Sequence, residues 1–289
     1  MNLLFQYGLL ISPEEGIIET MNNDTWQKQS DKPLFPELEW NKPERRDQAG
    51  RLLIIGGSTH ALGAPAIAYQ QARQNGIGDV KVALPDKTRK LIDKRAVDAV
   101  FTKSTPSGEF ALDGTTVLIE YALWADSLLL SGDVGRNSQT SIALEELLRS
   151  FSETIVITND AIESLSNAVK QLFERQKTTL VLRFGQLQKL LQLYRYPSSL
   201  HSDMGLVQLV EFLQKLTKTI GASIVTLHNS QYVVATNGKV VTTKMDLDKS
   251  DSWQLKTAVK TVCYQTWNPE KQLESLTQSV YENNKNVFL

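Results

Sequence analysis

From Gly50 onward the chain alternates short apolar runs with longer segments whose apolar positions recur every three or four residues. The runs are RLLII 51–55, VKVAL 80–84, TTVLI 115–119, SLLL 127–130, TIVIT 154–158, TLVL 179–182 and SIVTL 223–227. Short continuous runs of this kind, rich in β-branched residues, predict strands buried on both faces. Between them ALEELLRSF 143–151, AIESLSNAVKQLF 161–173 and GLVQLVEFLQKLTKTI 205–220 carry the helical period. Strands separated by helices imply crossover connections, so the expected class is α/β: a three-layer α/β/α sandwich around a mainly parallel central sheet. QYVVATNGKVVTT 231–243 reads as a hairpin turning at Asn237-Gly238, expected on the sheet edge. In DKSDSWQLKTAVKTVCYQTWNP 248–269, Ser250, Asp251 and Ser252 are helix-capping types. Leu255, Ala258, Val259, Val262 and Cys263 then fall on one buried face.

Residues 1–45 lack a sustained period and carry three prolines in the second half, so they read as an arm with short helical pieces at best. The arm is expected to pack on the body, 46–289, or on a neighbouring subunit. Its opening, MNLLFQYGLLIS, lacks the basic flank and cleavage site of a signal peptide and is too short to span a bilayer. With 289 residues, 41% hydrophobic and 22% charged, the composition is that of an ordinary globular protein. The net charge of −1 is made of interspersed signs with no basic stripe, which argues against nucleic acid as a partner, and nothing points to a membrane. The single cysteine, Cys263, on a predicted buried face, points to a reducing, cytoplasmic compartment.

The first chemical candidate is IIGGSTHALGAPAIAYQQ, where a strand runs into Gly56-Gly57-Ser58 and a helix opens at Gly63-Ala64-Pro65. Free N–H groups at such a helix mouth favour an anion, for example a nucleotide phosphate. The stretch is neither GxGxxG nor a P-loop, and a tight βα turn without ligand explains it equally well. His60, His201 and His228 are scattered, without the spacing of a metal site.

The same stretch, GRLLIIGGS then GAPAIA then NGIGDVKVALP, resembles the ADP/ATP-dependent NAD(P)H-hydrate dehydratases, which have a ribokinase-like fold. The likeness continues in order over about residues 43–283. ADSLLLSGDVGR 125–136 resembles ADALVIGPGLGR, IVITNDAI 155–162 resembles vvLDADAL, VLRFGQLQKLL 181–191 resembles LTPHPGEFARLL, and VTLHNSQYVVATNGKV 226–240 resembles the LKGxxTxI segment. The resemblance implies ATP or ADP with Mg2+ as nucleotide, NAD(P)H hydrate as substrate, and a homo-oligomer. It places Ala64, Gly135 and Arg183 at the substrate. It places Gly56, Gly57, Ser58, His228, Asn229, Tyr232, Ser250, Ser252 and Trp253 at the nucleotide.

The departures fall on the working residues. The family's catalytic aspartate lands on Trp253 and its phosphate-binding glycines on Ser250 and Ser252. An indole cannot take a proton from a hydroxyl. Asp251 is the carboxylate at hand to serve as base instead, though in a first turn it more simply caps the helix. The His and Glu of PHPGE are Arg183 and Gln186, and the Lys-Gly of LKG is His228-Asn229. The expected function is therefore a divergent, catalytically impaired homologue that at most binds a nucleotide. An active dehydratase with a rearranged site, a ribokinase-like small-molecule kinase and a structural subunit are the other readings. Arg183, at the carboxyl rim of a sheet, has the right fork for a phosphate or carboxylate. Gly56-Gly57, Ser131–Gly135, Arg183 and Ser250–Trp253 are expected to converge there.

Overall fold

The computed structural model describes residues 25–92, 97–245 and 253–285. Among these, ten strands form one sheet: β1 (Trp26–Gln29), β2 (Arg51–Gly56), β3 (Asp79–Pro85), β4 (Ala99–Thr102), β5 (Ser127–Gly132), β6 (Thr154–Thr158), β7 (Thr178–Val181), β8 (Ser223–His228), β9 (Gln231–Thr236) and β10 (Lys239–Lys244). The helices are α1 (Glu37–Trp40), α2 (Gly63–Asn75), α3 (Thr115–Trp124), α4 (Ser138–Ser150), α5 (Ala161–Ser164), α6 (Val169–Glu174), α7 (Phe184–Tyr194), α8 (Leu206–Thr219), α9 (Trp253–Trp267) and α10 (Gln272–Lys285).

The strand order is β1-β10-β9-β8-β7-β6-β5-β2-β3-β4, and only β9 runs against the rest. Successive residues of a strand face opposite sides, so each apolar run feeds two cores. Leu53 and Ile55 of β2 pack with Leu128, Leu130, Ile155 and Ile157 toward α3–α8. Leu52 and Ile54 pack with Leu129, Val156 and Val181 toward α2, α9 and α10. The expected three-layer α/β/α sandwich is what forms.

Three local expectations change. TTVLI 115–119 is not a strand but the first half of α3. The ten residues TTVLIEYALW are apolar nearly all round, and such a run has no period by which to tell strand from helix. The strand on that side is β4, AVFT, four residues at the sheet edge. The arm, read as helical pieces at best, supplies β1, which adds in parallel to β10. There Trp26 Nε1 donates to Thr242 Oγ1 at 3.1 Å and Gln29 Nε2 to Thr243 Oγ1 at 3.0 Å. The β9–β10 hairpin is therefore covered by β1 and is not the edge. Its turn is as expected, with Asn237 and Gly238 both left-handed at φ 49° and 75°. Further along the arm, Asn41 Nδ2 donates to Asn268 Oδ1 at 2.7 Å, so residues 25–48 pack on their own body.

Candidate functional site

From β2 the chain runs outward to β3 and β4, then returns to the other side of β2 as β5 and continues to β6, β7 and β8. Connections that depart in opposite directions leave a crevice at the carboxyl ends of β2 and β5. Gly57 N donates to Gly132 O at 3.0 Å across it. A Cβ on Gly56 would sit 2.5 Å from the same oxygen, so the close approach requires glycine. Ser58 N closes a turn on Ala61 O at 2.8 Å, and α2 begins at Gly63.

The mouth of α2 is filled from within the chain. Asp133, following β5, accepts the N–H of Ala64 at 2.7 Å through Oδ2. The anion expected at this helix is thus a carboxylate of the protein, which caps it and complements its dipole. Asp133 stands where GPGLG has its second glycine, and keeps a left-handed φ of 60°. Asp160, ahead of α5, organises the same loop. Its carboxylate accepts the N–H groups of Asp133 at 2.7 Å and Gly135 at 3.3 Å. Burial raises the Asp160 pKa above the ordinary carboxylate value, with those two N–H bonds opposing and the charge of Asp133 adding.

Beyond this loop a cleft of about 620 Å3 opens over the ends of β5, β6 and β7. Gln186 joins its walls. Its Nε2 donates to Asn159 O at 3.0 Å and Glu163 Oε1 at 2.8 Å. Its Oε1 accepts from Arg183 N at 2.8 Å and Gln254 Nε2 at 3.0 Å. A glutamate here, acceptor only, could not make the first pair of bonds. The change from the motif's Glu is matched by its surroundings. Asp133, Asp160 and Glu163 are all held by donors of the chain itself. Arg136, Arg183 and Lys189 line the cleft exposed, with no hydrogen bond or ion pair from their side chains among the described residues.

Gly56, Gly57, Ser58, Ala64, Gly135 and Arg183 all lie at the carboxyl rim of the sheet, and of these Gly135 and Arg183 line the cleft. Ser250, Asp251 and Ser252 lie outside the described residues; Gln254 is the residue of α9 that lines the cleft. His228 is buried, stacked on Phe184 with ring centroids 4.5 Å apart and Nε2 2.8 Å from Met204 O. Asn229 is exposed in the β8–β9 turn with φ 48°. Tyr232 and Trp253 pack edge to face at 5.7 Å in the core, 1% and 6% exposed, and burial pushes the Tyr232 hydroxyl up to about 12. His60 is exposed in its loop. Asp133, Asp160 and Lys189 are functional-site residues that the local sequence pattern does not mark. A carboxylate amid the glycines of SGDVG was the available signal for the first.

Among the described residues no group of three His, Cys, Asp or Glu side chains is placed to hold a metal ion, and no helix is long and apolar enough to cross a membrane. No family model matches the chain. The bifunctional NAD(P)H-hydrate repair enzyme Nnr of Methanothermobacter thermautotrophicus is 30% identical over 150 residues, 50% of this chain and 28% of that protein. The enzyme of the same name from Salinibacter ruber is 28% identical over 140 residues, 46% of this chain and 25% of that protein. The chain thus spans less than a third of the length of the curated relatives it matches. The solved ADP/ATP-dependent NAD(P)H-hydrate dehydratase of Bacillus subtilis, co-crystallised with ATP/Mg2+, superposes with a TM-score of 0.60 at 14% identity, over 88% of this chain and 87% of that one. Over about half of its length the chain is similar to NAD(P)H-hydrate repair enzymes. A ribokinase-like superfamily protein of Enterococcus faecalis superposes with a TM-score of 0.68 at 16% identity, over 90% of this chain and 86% of that one. The fold is ribokinase-like.

Proposed function

We propose that this chain is a divergent member of the family whose rim cleft binds a phosphate-bearing nucleotide ligand and which does not carry out the dehydration. The observation that carries the reading is the charge balance of the cleft. Its three carboxylates are satisfied internally while the side chains of Arg136, Arg183 and Lys189 have no partner among the described residues, so the demand the cleft presents is for an anion with several oxygens. ATP, ADP and the NAD(P)H hydrates are ligands of that chemistry, with Mg2+ arriving on the phosphates. Loss of catalysis is supported by Trp253, which stands at the family's aspartate position and is packed against Tyr232. The buried thiol of Cys263 fits a cytoplasmic setting.

Thermal unfolding with ATP, ADP, AMP, NADH and NADPH tests binding. A ligand at 100 times its Kd stabilises the native state by about 2.7 kcal/mol, and Arg183→Ala should abolish the shift. Absence of any shift, or a shift indifferent to Arg183→Ala, refutes the binding site. For catalysis, hydrated NADH or NADPH with ATP or ADP should give no rise in nicotinamide absorbance. Turnover that disappears in Asp251→Asn would make Asp251 the base and the chain an active dehydratase.

A further inference from the structure

At the amino end of the sheet, away from the rim, a second cavity of about 260 Å3 opens where the arm meets α9 and α10. Trp267, the last residue of α9, forms one wall, and its Nε1 donates to Ala49 O at 3.1 Å just ahead of β2. Lys260 of α9 lines the same cavity, only 8% exposed, with Nζ donating to Glu282 Oε2 at 3.2 Å. Glu282 also accepts the Tyr264 hydroxyl, so its carboxylate is fully engaged by the chain. The other two charges on the cavity come from the arm. Glu39 and Lys42 are both exposed, and neither makes an ion pair with the other or with any side chain among the described residues. Exposed charges of this kind ordinarily move freely in solvent. These two are held. Gln278 Nε2 donates to Glu39 Oε1 at 3.2 Å. Lys42 lies over the Trp267 ring, with Nζ 5.7 Å from its centre, and against Gly76, where a Cβ would come 2.7 Å from the lysine Cε.

We propose that this cavity is a binding site for a small zwitterion, an α-amino acid, with its carboxylate on Lys42 and its ammonium on Glu39. Lys260 and Glu282 answer one another, which leaves one cation and one anion of the chain facing the same space without a charged partner. A plain acid would leave Glu39 unanswered, and a plain amine would leave Lys42 so. A zwitterion meets both and leaves the net charge of the site unchanged. Lys260 reinforces the carboxylate end, because an ammonium carries three donors and the chain uses one of them. The Trp267 ring offers an apolar wall to a short aliphatic side chain. At about 260 Å3 the space lies below the range of drug-sized sites, about 300–1,000 Å3, and excludes a nucleotide. The inference is independent of what the rim cleft binds.

Isothermal titration calorimetry of the full chain with glycine, L-alanine and L-valine at millimolar concentration reads the binding directly. At least one of them should bind saturably at one site per chain. The matching acid without the amino group (acetate, propionate or isovalerate) should bind about tenfold more weakly, and so should the matching amine without the carboxylate. Lys42→Met keeps the stem over Trp267 and removes the charge; Glu39→Gln keeps an acceptor for Gln278 and removes the charge. Each should weaken binding about tenfold. Both positions are exposed, and unchanged urea midpoints show that the variants fold. Arg183→Ala, in the rim cleft, should leave this binding as it is. A chain that binds none of the three amino acids overturns the proposal. Equal binding of the acid or the amine, indifference to Lys42→Met or Glu39→Gln, or loss of binding in Arg183→Ala overturns it as well.

Discussion

Removing the carboxylate that caps α2 isolates the contribution of one contact between segments 69 residues apart. Asp133 accepts the Ala64 N–H at 2.7 Å and holds φ 60°. Loss of a capping acceptor costs about 0.5–2 kcal/mol, and loss of its charge at the positive end of the helix about 0.3–1 more. Alanine in the left-handed region adds about 1 kcal/mol that aspartate, asparagine and glycine largely avoid. Asp133→Ala is therefore expected to cost about 2–4 kcal/mol. Asp133→Asn keeps an acceptor and the backbone tolerance, and should cost about 0.3–1 kcal/mol. Asp133→Gly loses the acceptor but frees the backbone, and should fall between them at about 1–2 kcal/mol. Urea unfolding followed by tryptophan fluorescence gives all three from the midpoints, provided the slope is unchanged. An alanine variant within about 0.5 kcal/mol of wild type, or an asparagine variant as damaged as the alanine, would refute the assignment of Asp133 as cap.

The titration of Asp160 has a defined sign. Its native pKa is raised, so the stability it contributes is fully present below the unfolded carboxylate value of about 3.9 and is lost as pH rises through the higher native value. Asp160→Asn should remove that fall from the stability profile between acid and neutral pH; an unchanged profile would count against it. Cys263 is wholly buried with its thiol pushed up to about 12, so a thiol reagent should leave the native protein unlabelled at neutral pH and label it once in urea. On α10, Glu282 accepts from Lys260 Nζ at 3.2 Å and from the Tyr264 hydroxyl. Glu282→Leu strands both donors and should cost about 2–4 kcal/mol, more than Lys260→Met, which strands only an acceptor still held by Tyr264; the reverse order in urea unfolding would argue against the network.

Strands β2, β3, β5, β6, β7 and β8 are legible in the sequence because each is a short apolar run buried on both faces. TTVLI carries the same signal and folds as a helix, since uniform apolarity erases the period that separates the two. β1 and β4 are missed for the opposite reason: four residues at an edge carry too little pattern, and β1 depends on a partner far along the chain. In the site, Gly56-Gly57, Gly135 and Arg183 are legible because backbone conformation and position after a strand fix them locally. The role of Asp133 is decided by Ala64 and Asp160, 69 and 27 residues away, and that of Gln186 by Gln254, 68 residues away. No local window contains those partners.

The pairing of β1 with β10 also orders the protein's assembly in time. During synthesis β1 leaves the ribosome well before its partner, which lies 214 residues later in the pair Gln29–Thr243. Domains gather from the N-terminal end as they emerge, but this strand must wait until the β9–β10 hairpin exists. Until then β1 has no neighbour and offers its unpaired N–H and C=O groups to any extended chain nearby. Docking of β1 is thus a latch closed at the end of folding. The interval before it closes is when the newborn protein is exposed to pairing with another molecule through this strand.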